Sequence, residues 1–359
     1  MGKRSCVAAL AVALVLTGVA GPASADDGEV APADLVEEIL LDAADPVSTD
    51  GERLVAEVGD VTAVVPEELS DPLTVQAADG ARVEVTLPQS ESVTQAGAGE
   101  AAVTHELDDG SVLVPVVRSN GVLQVLSVLT DEAAPASFTY GVTVESGGSL
   151  ALLPDGGVSV LSAEGDAAAI VAPPWAKDAE GRDIPTRFEI DGTRLTQVID
   201  TQAAPDVVYP VVADPAVSVK LTKYTVVNVV KTSNWTNTSR QLGICKVQSG
   251  AGGGRCTISG TYSVDTSVTA GLGATKALVA ANIGFSLSTS VSGTISWTSK
   301  PTSAGTTYKA WAVGTRATYR VQKWTGYKTL GMKTPNWKLE STSSTLTSFS
   351  PVRGFAVGT

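Results

Sequence analysis

The sequence predicts a mainly β protein, in which an acidic N-terminal β region with one short helix precedes a basic C-terminal antiparallel β domain built on a long amphipathic hairpin. Three observations carry that reading. Beyond residue 44 the chain is a succession of short β-type runs separated by Asp-Gly, Gly-Gly and Pro signals. Between residues 257 and 299, apolar and hydroxyl residues alternate with a period of two. Near residue 215 the charge changes sign. Residues 26–214 carry 36 Asp+Glu against 7 Lys+Arg, a balance of −29, whereas residues 215–359 carry 2 against 16, a balance of +14. With 43% apolar and 18% charged residues, the 359-residue chain has enough material for a buried core.

The first 25 residues read as a secretory signal peptide. Lys3 and Arg4 form a positive start, Cys6 to Ala20 is a nearly unbroken apolar run, and Ala23-Ser24-Ala25 is a small-residue cleavage site. The run is short for a transmembrane helix, and Asp26 and Asp27 follow at once. The expected location is extracellular, and Cys6 leaves with the peptide. In an oxidising compartment, Cys245 and Cys256 are expected to form a disulfide. The glycine-rich run between them lets the chain turn back, and closing so short a loop contributes about 2–3 kcal/mol. No further Cys or His lies nearby to complete a four-ligand metal site, so no metal and no cofactor is expected.

Residues 32–44 are the one clear helical patch, with Leu35, Ile39 and the leucines at 40 and 41 at helical spacing and Pro32 near the start. Strands follow at RVEVTL (82–87), SVLVPVV (111–117), VLQVLSVL (122–129) and FTYGVTVES (138–146). Asp-Gly pairs at 79–80, 109–110, 155–156 and 191–192 mark tight turns. His105, the single histidine, lies beside one of these turns and reads as a surface residue. The many carboxylates are scattered at turns, and their spacing selects no acid/base pair.

Within residues 150–215, Pro174-Trp175-Ala176-Lys177-Asp178-Ala179 and the ending Tyr209-Pro210-Val211-Val212-Ala213-Asp214-Pro215 stand out. This stretch resembles a segment of secreted actinobacterial proteins of unknown role. The resemblance implies a small all-β module preceding variable C-terminal domains, and it implies no activity. On the residues alone, FEI (188–190) and LTQVI (195–199) flank Asp191-Gly192 as a hairpin. The expected organisation is thus a signal peptide (1–25), an acidic, mostly β region (26–149), a small β module (150–215) and a basic β domain (216–359).

In the basic domain, Ile258, Gly260, Tyr262, Val264, Thr266, Val268, Ala270 and Leu272 share one parity, and Thr257, Ser259, Thr261, Ser263, Asp265, Ser267 and Thr269 share the other. The alternation resumes with Ile283, Phe285, Leu287, Thr289, Val291, Gly293, Ile295 and Trp297 against Asn282, Gly284 and a series of Ser and Thr up to Thr298. Two strands of about 15 residues are expected, well beyond ordinary strand length. Charge is nearly absent from both runs, and small hydroxyl side chains suit a wet lumen as well as a solvent-facing sheet. Residues 257–299 resemble the membrane-inserting hairpin of aerolysin-type β-pore-forming toxins. That resemblance implies membrane insertion and, with it, a homo-oligomer. A half-buried hairpin of a sandwich, or an exposed pairing-prone strand, gives the same pattern.

Residues 308–338 interleave aromatic and basic side chains. Lys309, Trp311, Arg316, Arg320, Lys323, Trp324, Lys328, Lys333 and Trp337 are the candidate surface-binding residues, suited to an anionic membrane or cell-wall polymer. A strand pair whose aromatics pack a small core and whose cations are solvated is the alternative. Nucleic acid is not the expected partner of an exported chain of net charge −13. There is no phosphate-binding Gly-x-x-x-x-Gly-Lys-[Ser/Thr] loop, no Gly-x-Ser-x-Gly elbow and no Ser-x-x-Lys with its companion motifs. The expectation is a secreted, non-enzymatic β-protein that binds an anionic envelope surface through its basic domain. Membrane insertion by 257–299 is the second reading, and a hydrolase with an unrecognised carboxylate site is the third.

Overall fold

The computed structural model describes residues 43, 48–49, 53–78, 80–88, 93–98, 103–144, 147–248 and 253–359. The expected signal peptide lies outside them, as does the expected helix at 32–44 except Ala43, which bridges to Arg118. The chain is mainly β, in antiparallel sheets, with one short helix among the described residues. It forms two compact units. One runs up to Leu221 and includes Gly326–Trp337; the other comprises Thr222–Thr325 and Lys338–Thr359.

In the first unit the strands are, in chain order, β1 (Ser48–Thr49), β2 (Arg53–Val58), β3 (Val61–Pro66), β4 (Leu73–Ala77), β5 (Arg82–Thr86), β6 (Val93–Ala98), β7 (Val103–Leu107), β8 (Ser111–Val117) and β9 (Leu123–Leu129). There follow β10 (Ser137–Val144), β11 (Gly148–Leu152), β12 (Val158–Ser162), β13 (Ala167–Val171), β14 (Trp175–Lys177), β15 (Thr186–Asp191), β16 (Arg194–Ile199), β17 (Val211–Asp214) and β18 (Ala216–Val219). One sheet has the order β1-β2-β3-β4-β5-β10-β16-β15, and the other β11-β12-β13-β18-β9-β8-β7-β6, with β17 joining β14 to β9. Both sheets draw strands from either side of residue 150, so the stretches expected as separate modules at 26–149 and 150–215 share one unit and one core.

The amphipathic strands show why. In β10, Phe138, Tyr140, Val142 and Val144 are buried at every second position. With Leu73, Val75, Val83, Val85, Leu113, Leu123, Val125 and Leu195 they form the shared core between the sheets. Strands β8 and β9 are buried on both faces, because Val112, Val114, Val116, Leu126 and Val128 meet Val212, Trp175 and Ala43 on the far side. Pro115 is tolerated inside β8 because the pairing with β7 ends at Leu113, so its missing N–H leaves no gap in a ladder there. The Asp191-Gly192 hairpin joins β15 to β16 in register from Thr186↔Ile199 to Asp191↔Arg194.

His105 is not on the surface. It is 2% exposed on β7, opposite Leu113, and burial lowers its pKa. The Thr-His-Glu-Leu run lies inside the strand, with Thr104, His105 and Leu107 buried and Glu106 exposed, and the turn only begins after it.

In the second unit the elements are β19 (Leu221–Lys246), β20 (Thr257–Asp265), α1 (Lys276–Ile283), β21 (Ser290–Thr298), β22 (Thr307–Gly326), β23 (Lys338–Thr342) and β24 (Leu346–Gly358). Strand β22 pairs with β19, with β24 along Lys309–Tyr319 and with β23 along Gln322–Thr325. Strands β20 and β21 form a separate two-stranded sheet.

The expected pair of strands of about 15 residues is thus corrected: each strand has 9 residues. The segment between them, 266–289, contains the helix. Lys-Ala-Leu-Val-Ala-Ala-Asn-Ile is a good helix former. Thr275 caps its start by accepting from the Leu278 N–H, and Gly284 ends it in the left-handed region at φ 65°.

Candidate functional site

The hairpin β20–β21 is paired over its whole length, from Thr257↔Thr298 to Asp265↔Ser290. One face carries Thr257, Ser259, Thr261, Ser263 and Asp265 opposite Thr298, Ser296, Thr294, Ser292 and Ser290, and all ten side chains are exposed. Hydroxyl pairs bridge the strands, as between Thr257 and Thr298 at 2.9 Å. The other face is apolar and covered. Ile258, Ile295 and Ala310 form one cluster with Leu242, Trp297, Tyr308, Phe355 and Val357 around them. Val264, Ala312 and Phe349 form a second, beside Trp235 and Tyr262. The hairpin therefore lies face-on against the long-stranded sheet through side chains, and its strands add to neither edge of that sheet.

Gly293 makes this close pairing workable, because a Cβ there would sit 2.9 Å from the Tyr262 hydroxyl and 3.0 Å from its ring. The same hydroxyl accepts from the Gly354 N–H at 3.0 Å, fixing the hairpin to β24. At the base, Cys256 N–H donates to Ser299 Oγ at 3.0 Å, and the Cys245–Cys256 disulfide ties the start of β20 to β19 with Cα atoms 5.9 Å apart.

The segment 266–289 is stored against the same sheet. Val268, Ala274, Val279, Ala280 and Ile283 pack with Ala317, Tyr319 and Val321 of β22, beside Tyr224, Val226, Phe285 and Leu346. A set of hydrogen bonds latches it to β24: Ser267 and Phe349 exchange N–H donors at 2.9 Å, and Thr269 Oγ1 donates to the Thr347 carbonyl at 2.8 Å. The buried Tyr319 hydroxyl closes the latch, donating to the Thr269 carbonyl and meeting Ser348 Oγ at 2.5 Å. Burial raises the Tyr319 pKa, partly offset by its bonds to Ser348 and Thr269. Lys231 lies 5.8 Å over the Phe285 ring, a cation–π contact that holds the end of the segment.

The nine candidate surface-binding residues are divided between the two units. Lys328, Lys333 and Trp337 belong to the first unit and the other six to the second. Trp337 packs against the first unit's core, and Lys328 Nζ donates to the Asn120 carbonyl at 2.9 Å. Lys323 is paired with Glu340 at 2.7 Å. Trp324 donates to Thr225 Oγ1 at 3.0 Å and carries Lys223 5.7 Å over its ring. Arg316 stacks 5.1 Å over Trp235, which packs edge-on against Phe349. Lys309 and Trp311 are half-buried, and Arg320 is exposed. In this cluster Trp324 and Trp337 support packing, while Arg316, Lys323 and Lys328 find their partners outside the cluster or on a carboxylate or carbonyl. The stored segment and its latch are the features that sequence reading missed. Tyr319 at an inward-facing strand position was the available signal.

The residues carrying the Pro174–Ala179 and Tyr209–Pro215 motifs have structural partners. Asp178 is buried. Burial opposes its charge, yet Arg182 and the N–H groups of Arg182, Val208 and Glu180 hold its carboxyl below the usual range. Asp214 accepts from Gln124 Nε2 at 2.8 Å, and burial pushes its pKa up to about 7 against the opposing effects of Gln124, Trp175 and Arg118.

Among the described residues no three His, Cys, Asp or Glu side chains are placed to hold a metal. No helix among them is long and apolar enough to cross a membrane, which leaves crossing by strands open. No family model, no curated protein and no solved structure matches the chain.

Proposed function

We propose that this chain is a secreted, non-enzymatic, membrane-active β-protein that forms pores by releasing the 257–299 region into an anionic bilayer. One observation carries the reading. An amphipathic ribbon with a fully exposed hydroxyl face lies beside a long-stranded sheet, yet its strands β20 and β21 pair only with each other, and the backbone meets the sheet's edge at an isolated bridge between Ser267 and Phe349 just beyond β20. A hairpin that belonged to an ordinary sandwich would be paired into a sheet. Here apolar packing, the Tyr262–Gly354 hydrogen bond and the latch hold it to the sheet, and the disulfide ties only its base, so a bilayer can replace most of what the sheet supplies. Burying the apolar face in lipid costs no charge on that face up to Lys276, and the hydroxyl face becomes the lumen. Assembly into a homo-oligomer is part of the proposal, because a single hairpin cannot close a barrel.

Charge favours a second reading, in which the basic unit binds an anionic membrane or cell-wall polymer without insertion. That unit has 13 Lys+Arg against only Asp265 and Glu340. Liposomes of phosphatidylglycerol and phosphatidylcholine loaded with a self-quenched dye separate the two. Release on adding the full chain supports pores. Binding in a flotation assay with the dye fully retained supports surface attachment and sinks the pore.

A further inference from the structure

The hairpin register fixes what happens to the stored segment if the hairpin lengthens. Partners in β20–β21 run antiparallel from Thr257↔Thr298 to Asp265↔Ser290 without a bulge. Continuing that register pairs Thr266 with Thr289, and the Thr266 N–H already donates to the Thr289 carbonyl at 2.9 Å. Further pairs would be Val268 with Leu287, Ala270 with Phe285, Leu272 with Ile283 and Ala274 with Ala281, all on the apolar face. The opposite face would pair Ser267 with Ser288, Thr269 with Ser286, Gly271 with Gly284 and Gly273 with Asn282. The side chains thus sort correctly along a segment that is not a strand in the stored state.

Residues 266–275 and 280–289 are then two strands of about ten residues, the length that crosses a bilayer. Neither carries a charged residue. Lys276 falls in the turn at the far side, where an ammonium reaches water. Helix α1 would have to melt. At 8 residues it is shorter than helices that persist alone, and its stability comes from Val279, Ala280 and Ile283 against Ala317, Tyr319 and Val321.

This placement isolates one charged side chain. Of the two carboxylates after residue 215, Glu340 is paired with Lys323, whereas Asp265 is exposed on the hydroxyl face at the last residue before the span. Resting on the pore reading, we infer that 266–275 and 280–289 are the membrane-crossing strands and that Asp265 is the selectivity residue, forming a carboxylate ring at one mouth of an otherwise uncharged, Ser/Thr/Gly/Asn-lined lumen. Such a ring favours cations.

The test uses the full chain in planar bilayers of phosphatidylcholine and phosphatidylglycerol under a tenfold KCl gradient. The wild type should show a cation-selective reversal potential. Asp265→Asn should move it toward zero, and Asp265→Lys should reverse its sign. In parallel, with the native cysteines bonded to each other, Thr269→Cys should react with a membrane-impermeant thiol reagent in bound protein, while Val268→Cys is protected. Conductance whose selectivity ignores residue 265, or equal labelling at 268 and 269, overturns this inference and leaves the pore reading standing. A bilayer that never conducts removes both.

Discussion

Tyr319 and Asp214 each concentrate a large consequence in one side chain. The Tyr319 hydroxyl bonds the Thr269 carbonyl and Ser348 Oγ in the latch. Tyr319→Phe keeps the ring in its cluster and removes only these bonds, at a cost of about 1–3 kcal/mol. Amide hydrogen exchange across 266–289 should speed up in this variant while exchange in β22 stays slow. Unchanged exchange would show that the latch does not hold the segment. Asp214 is a buried carboxyl whose pKa lies at about 7 rather than 3.8. The native state therefore binds its proton more tightly than the unfolded chain does. Its contribution grows as pH falls from about 7 toward 3.8 and is lost as pH rises through 7. Asp214→Asn should abolish that slope and make the first unit more stable than wild type at pH 8, by up to about 4 kcal/mol on the linkage rule. Urea unfolding monitored at pH 5 and pH 8 measures it; a variant with the wild-type slope would place the titration elsewhere.

At the scale of elements, period-two alternation was legible wherever one face of a strand met the core, as in β10 and in β15–β16. It was equally legible in 257–299, but there it described a pattern that the stored state only half uses. Nine-residue strands form at each end, while capping by Thr275 and Gly284 and packing on Tyr319 favour a helix between them. Local helix propensity and long-range packing outweigh alternation in that segment, and alternation alone does not reveal them. His105 was misread because a neighbouring turn outweighed the strand it belongs to. The candidate cations and aromatics of 308–338 cluster in the sequence, yet the chain divides them between two units, which composition does not report. The disulfide is the element-level anchor. It closes an 11-residue separation at the root of β20. Replacing Cys245 and Cys256 by Ser should cost about 2–3 kcal/mol. A lowered denaturant midpoint for the second unit is the expected result, and an unchanged midpoint would show that the hairpin base is held by Ser299 and its neighbours alone.

Across the whole molecule, the net charge of −13 conceals a strongly cationic unit. Attachment of the full chain to anionic vesicles should weaken as salt rises past about 0.1 M, where the Debye length falls to about 10 Å. On the pore reading, bound protein should then resist a later salt wash, because apolar burial is not screened. Protein that washes off completely would mark a purely electrostatic contact.

On the pore reading, the segment 266–289 must leave its sheet before the protein perforates a membrane. A Cβ built at Gly271 lies 3.6 Å from the Ser343 Cβ, within the separation that a disulfide spans. The double variant Gly271→Cys/Ser343→Cys pins the segment to the chain just before β24. When oxidised it should bind dye-loaded anionic liposomes as wild type does and release no dye. Reduction should restore release, with reduced wild type as the control for the native disulfide. Release by the oxidised variant at the wild-type rate would contradict the claim.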